Sequence, residues 1–279
     1  MLLARAGIRP SCAERKTVMS KKNSGKRLSS LRRTTIGGSA VPLAMIEAFE
    51  NKFGVTAVQG WGMTEMSPVG TIGTLKRKLS GLPRPQQQAI KLKQGRAIYG
   101  VDLKIVDAEG KVQPHDGVAM GELLVRGPWI IGAYYNDKAA SREAFDAEGW
   151  LRTGDVVTID AESYMQIVDR LKDVIKSGGE WISSIAVENA AIGHPDIAEA
   201  AVIGLPHPRW GERPLLVIVP KEGKSPGDDS ILAFLGQRLT KWQLPDGIVR
   251  VAEIPHTATG KILKTKLRQL FRDHALPGA

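Results

Sequence analysis

The chain is poor in the residue types that build several common kinds of site. A single cysteine, Cys12, stands in 279 residues. That excludes an internal disulfide framework and a cysteine-ligated zinc module, and it fits a reducing, cytoplasmic setting. Long apolar runs are missing: nothing approaches the roughly 20 uncharged apolar residues of a membrane-spanning helix. The histidines, His115, His194, His207, His256 and His274, show no HExxH or other close ligand spacing. No Gly-x-Ser-x-Gly elbow is present. Gly25-Lys26 and Gly260-Lys261 fail as phosphate loops, because Arg27 and Ile262 stand where Ser or Thr is needed and Ser20 and Pro255 where Gly is needed.

What is present is a hydrophobic fraction of 42% and a charged fraction of 24%, the balance of a globular chain with about two domains. The net charge of +10 suggests an anionic partner, yet its location weakens that reading. Residues 1–36 hold ten Lys and Arg against the single acid Glu14, so nine of the ten surplus charges sit there. No Phe, Trp or Tyr is interleaved with them, which leaves a nucleic-acid site without stacking partners. Residues 1–30 read as a basic, poorly ordered segment. Their Arg-rich composition also suits a targeting presequence, but Lys-rich patches and the lack of an amphipathic period count against it.

Periodicity takes over from Leu31. Ser39 is placed to cap a helix with Pro42 in its first turn and an apolar face of Leu43, Ile46, Phe49 and Phe53, ended by Gly54. Val55–Val58 reads as a strand running into a turn, Gly60-Trp61-Gly62-Met63-Thr64-Glu65. Residues 75–97, basic and with two prolines and a run of three glutamines, read as a surface excursion. Alternating runs at Ala97–Asp107, Gly121–Arg126, Val156–Asp160 and Tyr164–Asp169 suit a small antiparallel sheet or distorted barrel. Beyond 170–173 the pattern becomes mixed: helices at Ser183–Ile192, Asp228–Leu239 and Leu263–Arg272, strands at Ile197–Gly204, Leu215–Val219 and Ile248–Val251.

The chemistry is concentrated in polar, glycine-containing turns. Gly60 to Glu65 gathers an aromatic, a hydroxyl and a carboxylate. Asp155 offers a carboxylate at a strand entry. Lys176-Ser177-Gly178-Gly179-Glu180-Trp181 reads as a loop, and Thr257-Ala258-Thr259-Gly260-Lys261 as a hydroxyl-rich loop tipped by an ammonium. Singly, each is an ordinary turn, because Gly, Thr and Asp are turn formers. In this order, together with Leu31–Ala40, Asp169-Arg170-Leu171-Lys172-Asp173 and His207-Pro-Arg-Trp-Gly-Glu-Arg-Pro214, they resemble the motifs of the adenylate-forming acyl-CoA synthetase superfamily. The likeness runs from about residue 28 to 272. It is closest to medium- and long-chain fatty acyl-CoA ligases and methylmercaptopropionyl-CoA ligases.

The resemblance implies an α/β fold: the C-terminal part of the large adenylate-forming domain over 31–170, a helix/strand unit plus a distorted antiparallel barrel, then a mobile small α+β domain over 171–279. It implies an enzyme that activates a carboxylic acid with ATP and passes the acyl group to CoA, with Mg²⁺ as cofactor. Thr64 would meet the α-phosphate and Glu65 the Mg²⁺. Ser39, Gln59 and Gly60 would line the acyl-adenylate, and Trp61 the adenine. Asp155 would accept the ribose hydroxyls, assisted by Arg170. Lys261 would be the catalytic lysine and Lys172 the hinge. Lys172, Lys176 and Trp181 would approach the adenylate, and Ser177, Gly178 and Gly179 the CoA arm.

The family's Ser/Thr/Gly-rich phosphate loop ending in Pro-Lys has no counterpart here. We therefore expect a truncated or frame-shifted product, with Met1–Ser20 foreign to the family and activity of the chain alone in doubt. Three functions stay open: a fatty acyl-CoA ligase, a non-catalytic remnant with weak nucleotide or CoA binding, and an anionic-surface or nucleic-acid binder acting through the basic N-terminus. A homodimer is left open, as is the identity of the acid. The third function predicts nucleic-acid binding that weakens steeply with salt and disappears when residues 1–36 are deleted; salt-independent binding, or none, contradicts it.

Overall fold

The computed structural model describes residues 30–38, 41–257 and 260–276. The expected disordered N-terminal segment and the expected cap Ser39 lie outside those residues, as does Thr259. Three sheets follow one another along the chain.

The first sheet has the order β1 (Arg33–Ile36), β2 (Thr56–Trp61), β3 (Thr71–Ile72), β4 (Arg96–Ala97). β1 and β2 pair in parallel, from Arg33↔Thr56 to Ile36↔Gln59, and parallel neighbours need a crossover. Helix α1 (Leu43–Phe53) supplies it. Its Ile46 is buried with Val41 and Ala57, and Met45 and Phe49 pack alongside. Pro42 occupies the N-cap rather than the first turn, without a side-chain cap, and Gly54 ends the helix at φ 65°. The stretch read as a surface excursion contains a helix, α2 (Arg84–Lys91). Its three glutamines and single lysine form no apolar stripe; bonds to α1 hold it instead, with Lys91 Nζ 2.7 Å from Glu50 and Gln88 donating to Glu47.

The second sheet is antiparallel in the order β5 (Asp102–Val106), β6 (Gly121–Arg126), β7 (Leu151–Ile159), β8 (Met165–Arg170). The single run expected over Ala97–Asp107 is broken between β4 and β5 by a turn at Tyr99-Gly100. Helix α3 (Lys138–Ala144), capped by Asp137, follows β6 in the chain. Ile105, Leu123, Val125, Leu151, Val157, Ile159 and Met165 form the core, and Trp61 and Met66 reach into it from the first unit. A bridge between Gly95 and Met165 ties the two sheets.

The third sheet runs β10 (Glu180–Ile182), β9 (Ile175–Ser177), β12 (Gly211–Pro220), β11 (Ile197–His207), with β13 (Gly247–Arg250) parallel to β12. Its long strands are apolar at consecutive positions because both faces are covered. Ala200, Val202, Leu216 and Ile218 pack against α4 (Ser184–Ile192) and α5 (Asp228–Gly236). Ala201, Ile203, Leu215 and Val217 pack on the other face with Leu267 of α6 (Lys264–Leu270). β11 and β12 extend past the expected limits to a hairpin turn at Pro208–Trp210, whereas α5 and α6 stop short of theirs. Among the described residues, no helix is long and apolar enough to cross a membrane.

Asp169 joins the second sheet to the third unit. It is 1% exposed, and its Oδ2 accepts from both the backbone N and the hydroxyl of Ser184, each at 2.6 Å. Ser183, the N-cap of α4, donates to Val168 O at 2.7 Å. Asp169→Ala removes the acceptor and strands both donors, so we expect a loss of about 1–3 kcal/mol in denaturant unfolding; an unchanged midpoint contradicts this role.

Candidate active site

β2 does not stop at Val58. It continues through Trp61, so Gln59, Gly60 and Trp61 are strand residues and the turn begins at Gly62. Alternation puts Gln59 and Trp61 on one buried face. The Gln59 amide is fully engaged: Nε2 donates to Lys91 O and Leu92 O, at 3.1 and 2.7 Å, while Oε1 accepts from Val41 N and Gln94 Nε2, both at 3.4 Å. Its side chain thus anchors the end of α2, leaving Gly60, half-buried, as the accessible part of this stretch.

Trp61 is only 9% exposed and belongs to the second core. Its indole N–H donates to Asp155 Oδ2 at 3.0 Å. Asp155 lies inside β7, not at a strand entry, and is 3% exposed. The register sets it opposite Arg170 of β8, whose Nε lies 2.8 Å from Oδ1. That contact is an ion pair without an aligned hydrogen bond, so Oδ1 remains a buried acceptor with no donor. Burial pushes the Asp155 carboxyl above the ordinary aspartate range, against the opposing pull of Arg170 and of the Trp61 N–H.

From Trp61 the chain turns sharply. A Cβ on Gly62 would stand 1.9 Å from Pro68 O, so only glycine fits. The turn leads to a short 3₁₀ helix over Thr64–Met66, in which Met66 is buried, Thr64 exposed and Glu65 half-buried. Tyr134 donates its phenol to Glu65 Oε1 at 2.9 Å, and Ile131 N donates to Glu65 O at 2.9 Å. The hydrogen bond to that carboxylate, with burial and the negative charge added, raises the Tyr134 phenol above its usual range. Tyr134 carried no sequence signal, sitting in a plain Tyr-Tyr pair. Glu65 keeps its second oxygen outside this bond. Among the described residues no group of three or more His, Cys, Asp or Glu is arranged around a metal position.

The stretch expected as a loop at 176–181 is a hairpin, with Lys176 opposite Trp181 and Ser177 opposite Glu180. The Ser177 side chain is buried, its Oγ accepting from Arg213 Nη1 at 3.1 Å, so the turn exposes Gly178 and Gly179 rather than the serine hydroxyl. Lys176 and Trp181 line a cavity of about 340 Å³ with Arg152, Glu122, Leu171 and the turn at Asp107–Gly110. A larger cavity, about 610 Å³, lies between Arg126–Gly132 and Ser141–Gly149 and contains none of the residues singled out from the sequence. Lys172 is exposed, and its carbonyl accepts from Arg268 at 2.9 Å. Lys261 is exposed in a loop closed by Thr257 N donating to Lys261 O at 2.7 Å. The structure thus gathers Trp61, Asp155 and Arg170 by direct contact, with Thr64 and Glu65 a few residues on. Lys176, Trp181 and the Ser177–Gly179 turn form a second group, and Lys261 bonds within its own loop.

The raised Asp155 carboxyl has a consequence for stability. The folded protein holds this proton more tightly than the unfolded chain, so stability falls as the pH climbs from the ordinary aspartate range through the raised value. Above that, the ionised group is a standing cost. Asp155→Asn is therefore expected to raise the Tm at neutral pH, with the gain shrinking toward acid as the wild-type carboxyl takes up its proton. A Tm lowered at neutral pH contradicts this.

Comparison with known proteins identifies the family. Residues 7–135 match the family of AMP-binding enzymes and residues 186–261 the AMP-binding enzyme C-terminal domain. The first match begins at residue 7, within the stretch expected to be foreign to the family. The chain is 51% identical over 254 residues to the 3-methylmercaptopropionyl-CoA ligase of Ruegeria lacuscaerulensis, covering 91% of this chain and 46% of that protein. It is 46% identical to the long-chain-fatty-acid–CoA ligase of Thermus thermophilus, covering 90% of this chain and 46% of that one. The o-succinylbenzoate CoA synthetase of Bacillus subtilis, solved with its acyl-adenylate intermediate OSB-AMP, superposes with a TM-score of 0.72 at 28% identity, over 91% of this chain and 49% of that one. The chain spans about half the length of the relatives it matches. With a mixed α/β adenylate-forming fold and these motifs in order, it belongs to the AMP-binding acyl-CoA synthetase superfamily, of which it covers the C-terminal portion.

Proposed function

We propose that the chain supplies the C-terminal part of an AMP-forming ligase that joins a carboxylic acid, a fatty acid above all, to CoA. In the first step a carboxylate oxygen of the acid attacks the α-phosphorus of ATP. The bond to the β-phosphate breaks and pyrophosphate leaves. In the second, the CoA sulfur attacks the acyl carbonyl and AMP leaves. The observation that carries this reading is Asp155 Oδ1, a buried acceptor without a donor. A ribose hydroxyl would give it the aligned hydrogen bond that its ion pair with Arg170 does not supply.

Around that anchor the remaining roles follow. Trp61 orients Asp155 and Arg170 balances its charge on the adenosine side, with Ser39, Gln59 and Gly60 along the acyl-adenylate. Thr64, exposed three residues beyond Trp61, offers its hydroxyl to the α-phosphate. Glu65 fits Mg²⁺ as a single hard carboxylate, because this ion takes one or two carboxylates and completes its shell with phosphate oxygens and water. Bound there, the ion would neutralise phosphate charge. Lys261 brings a compact positive charge to the oxygens that become anionic in the first step. Residues 31–170 act as part of the large domain and 171–279 as the mobile one, with Lys172 as hinge. Lys172, Lys176 and Trp181 approach the adenylate, and Ser177, Gly178 and Gly179 form the CoA side.

The test is pyrophosphate release from ATP with Mg²⁺, CoA and medium- to long-chain fatty acids. We expect release that depends on the acid and falls by about 10²–10³-fold in Lys261→Ala. Release independent of the acid, or undiminished in the variant, refutes the assignment.

A further inference from the structure

Arg213 stands near the start of β12, just ahead of its apolar run Leu215–Val219, and is 9% exposed. A guanidinium carries five N–H donors in a fixed fork, and here every one of them is bonded. Nε and one Nη2 hydrogen form a bidentate pair with Asp246, at 2.9 and 2.6 Å. The other Nη2 hydrogen goes to Leu244 O at 3.1 Å. Nη1 divides its two between Trp242 O at 2.8 Å and Ser177 Oγ at 3.1 Å. One side chain therefore clips the end of β9 to the segment 242–246.

Its neighbours in the chain hold the same turn. Glu212 accepts from Lys176 N at 2.9 Å, and Trp210 O accepts from Gly178 N at 2.8 Å. Gly178, at φ 60°, lies so close to the Trp210 ring that a Cβ would approach it to 2.8 Å. The stretch Trp210–Arg213 thus fixes three successive residues of the hairpin, Lys176, Ser177 and Gly178. The Ser177 hydroxyl oxygen is occupied from within, which leaves the exposed backbone of Gly178-Gly179 as the outward face.

We propose that Arg213 is a positioning residue: it holds the Ser177–Gly179 turn and the Trp242–Asp246 segment as one rigid unit and so sets the backbone surface that the turn presents to CoA. The part concerning CoA rests on the function proposed above; the part concerning the turn does not.

Two measurements on the full chain separate them. Hydrogen exchange reads the turn directly. Arg213→Lys, which keeps the charge but lacks the fork, is expected to speed exchange by about tenfold or more in peptides over 175–182 and 241–247, while those over α4 and α5 keep their wild-type rates. Calorimetry with CoA and with AMP reads the consequence: CoA is expected to bind about tenfold more weakly to the variant and AMP with unchanged affinity. If Arg213→Lys does not fold, Ser177→Ala cuts only the arm to the turn and is expected to speed exchange over 175–182 alone. Unchanged exchange at the turn, or an equal rise throughout β11, β12 and α4, overturns the proposal. If the wild-type chain binds no CoA, the functional reading fails and the exchange result still decides the role of Arg213.

Discussion

Burial of the Asp155 carboxylate is the constraint on which the rest of the arrangement depends. A carboxylate this deep costs free energy unless charge and hydrogen bonds compensate it, and the compensation comes from two separate sheets. Trp61 reaches it from β2 and Arg170 from β8. Because successive strand residues face opposite ways, Arg170 can serve Asp155 while its neighbour Asp169 accepts from Ser184 and fastens α4. A dipeptide at the end of β8 therefore serves both the buried carboxylate and the third unit, while Trp61 ties that carboxylate to the first sheet. At Oδ1 the compensation is by charge alone, since Arg170 pairs with it at 2.8 Å without an aligned hydrogen bond.

The third unit is built around charges in a comparable way. Lys264 at the start of α6 lies 2.7 Å from Glu188 of α4 and also donates to Ser184. Burial raises the Glu188 carboxyl, with Lys264 pulling against it. One helical stretch further on, Arg268 reaches Asp173 and the Lys172 carbonyl, at 2.8 and 2.9 Å. The helix that follows Lys261 is thereby tied both to α4 and to the residues where the second and third units meet.

Much of the fold was legible in the sequence because burial leaves a periodic trace. The apolar face of α1, the helix α4 and the strands β11 and β12 were all read within a few residues. What escaped depends on contacts between distant residues. α2 has no apolar stripe and is held by partners some forty positions away, Glu47 and Glu50. The hairpin at 175–182 read as a loop because Gly178-Gly179 dominates the local signal and hides its short flanking strands. At the site, motif order located Asp155, Arg170 and Glu65, but the burial of Trp61 and of the Ser177 hydroxyl was invisible, since each is decided by one long-range bond. Arg213 did leave a trace, as part of the run His207–Pro214 singled out in the sequence.

The central claim is the proposal that Asp155 Oδ1, ion-paired with Arg170 but accepting no aligned hydrogen bond, takes one from a ribose hydroxyl. Calorimetric titration of the chain with AMP and with its 2′,3′-dideoxy analogue tests it most directly, since the two ligands differ only in those hydroxyls. The account predicts that AMP binds and that the dideoxy analogue binds at least tenfold more weakly, about the worth of one hydrogen bond to a charged group. Equal affinity for the two would contradict it.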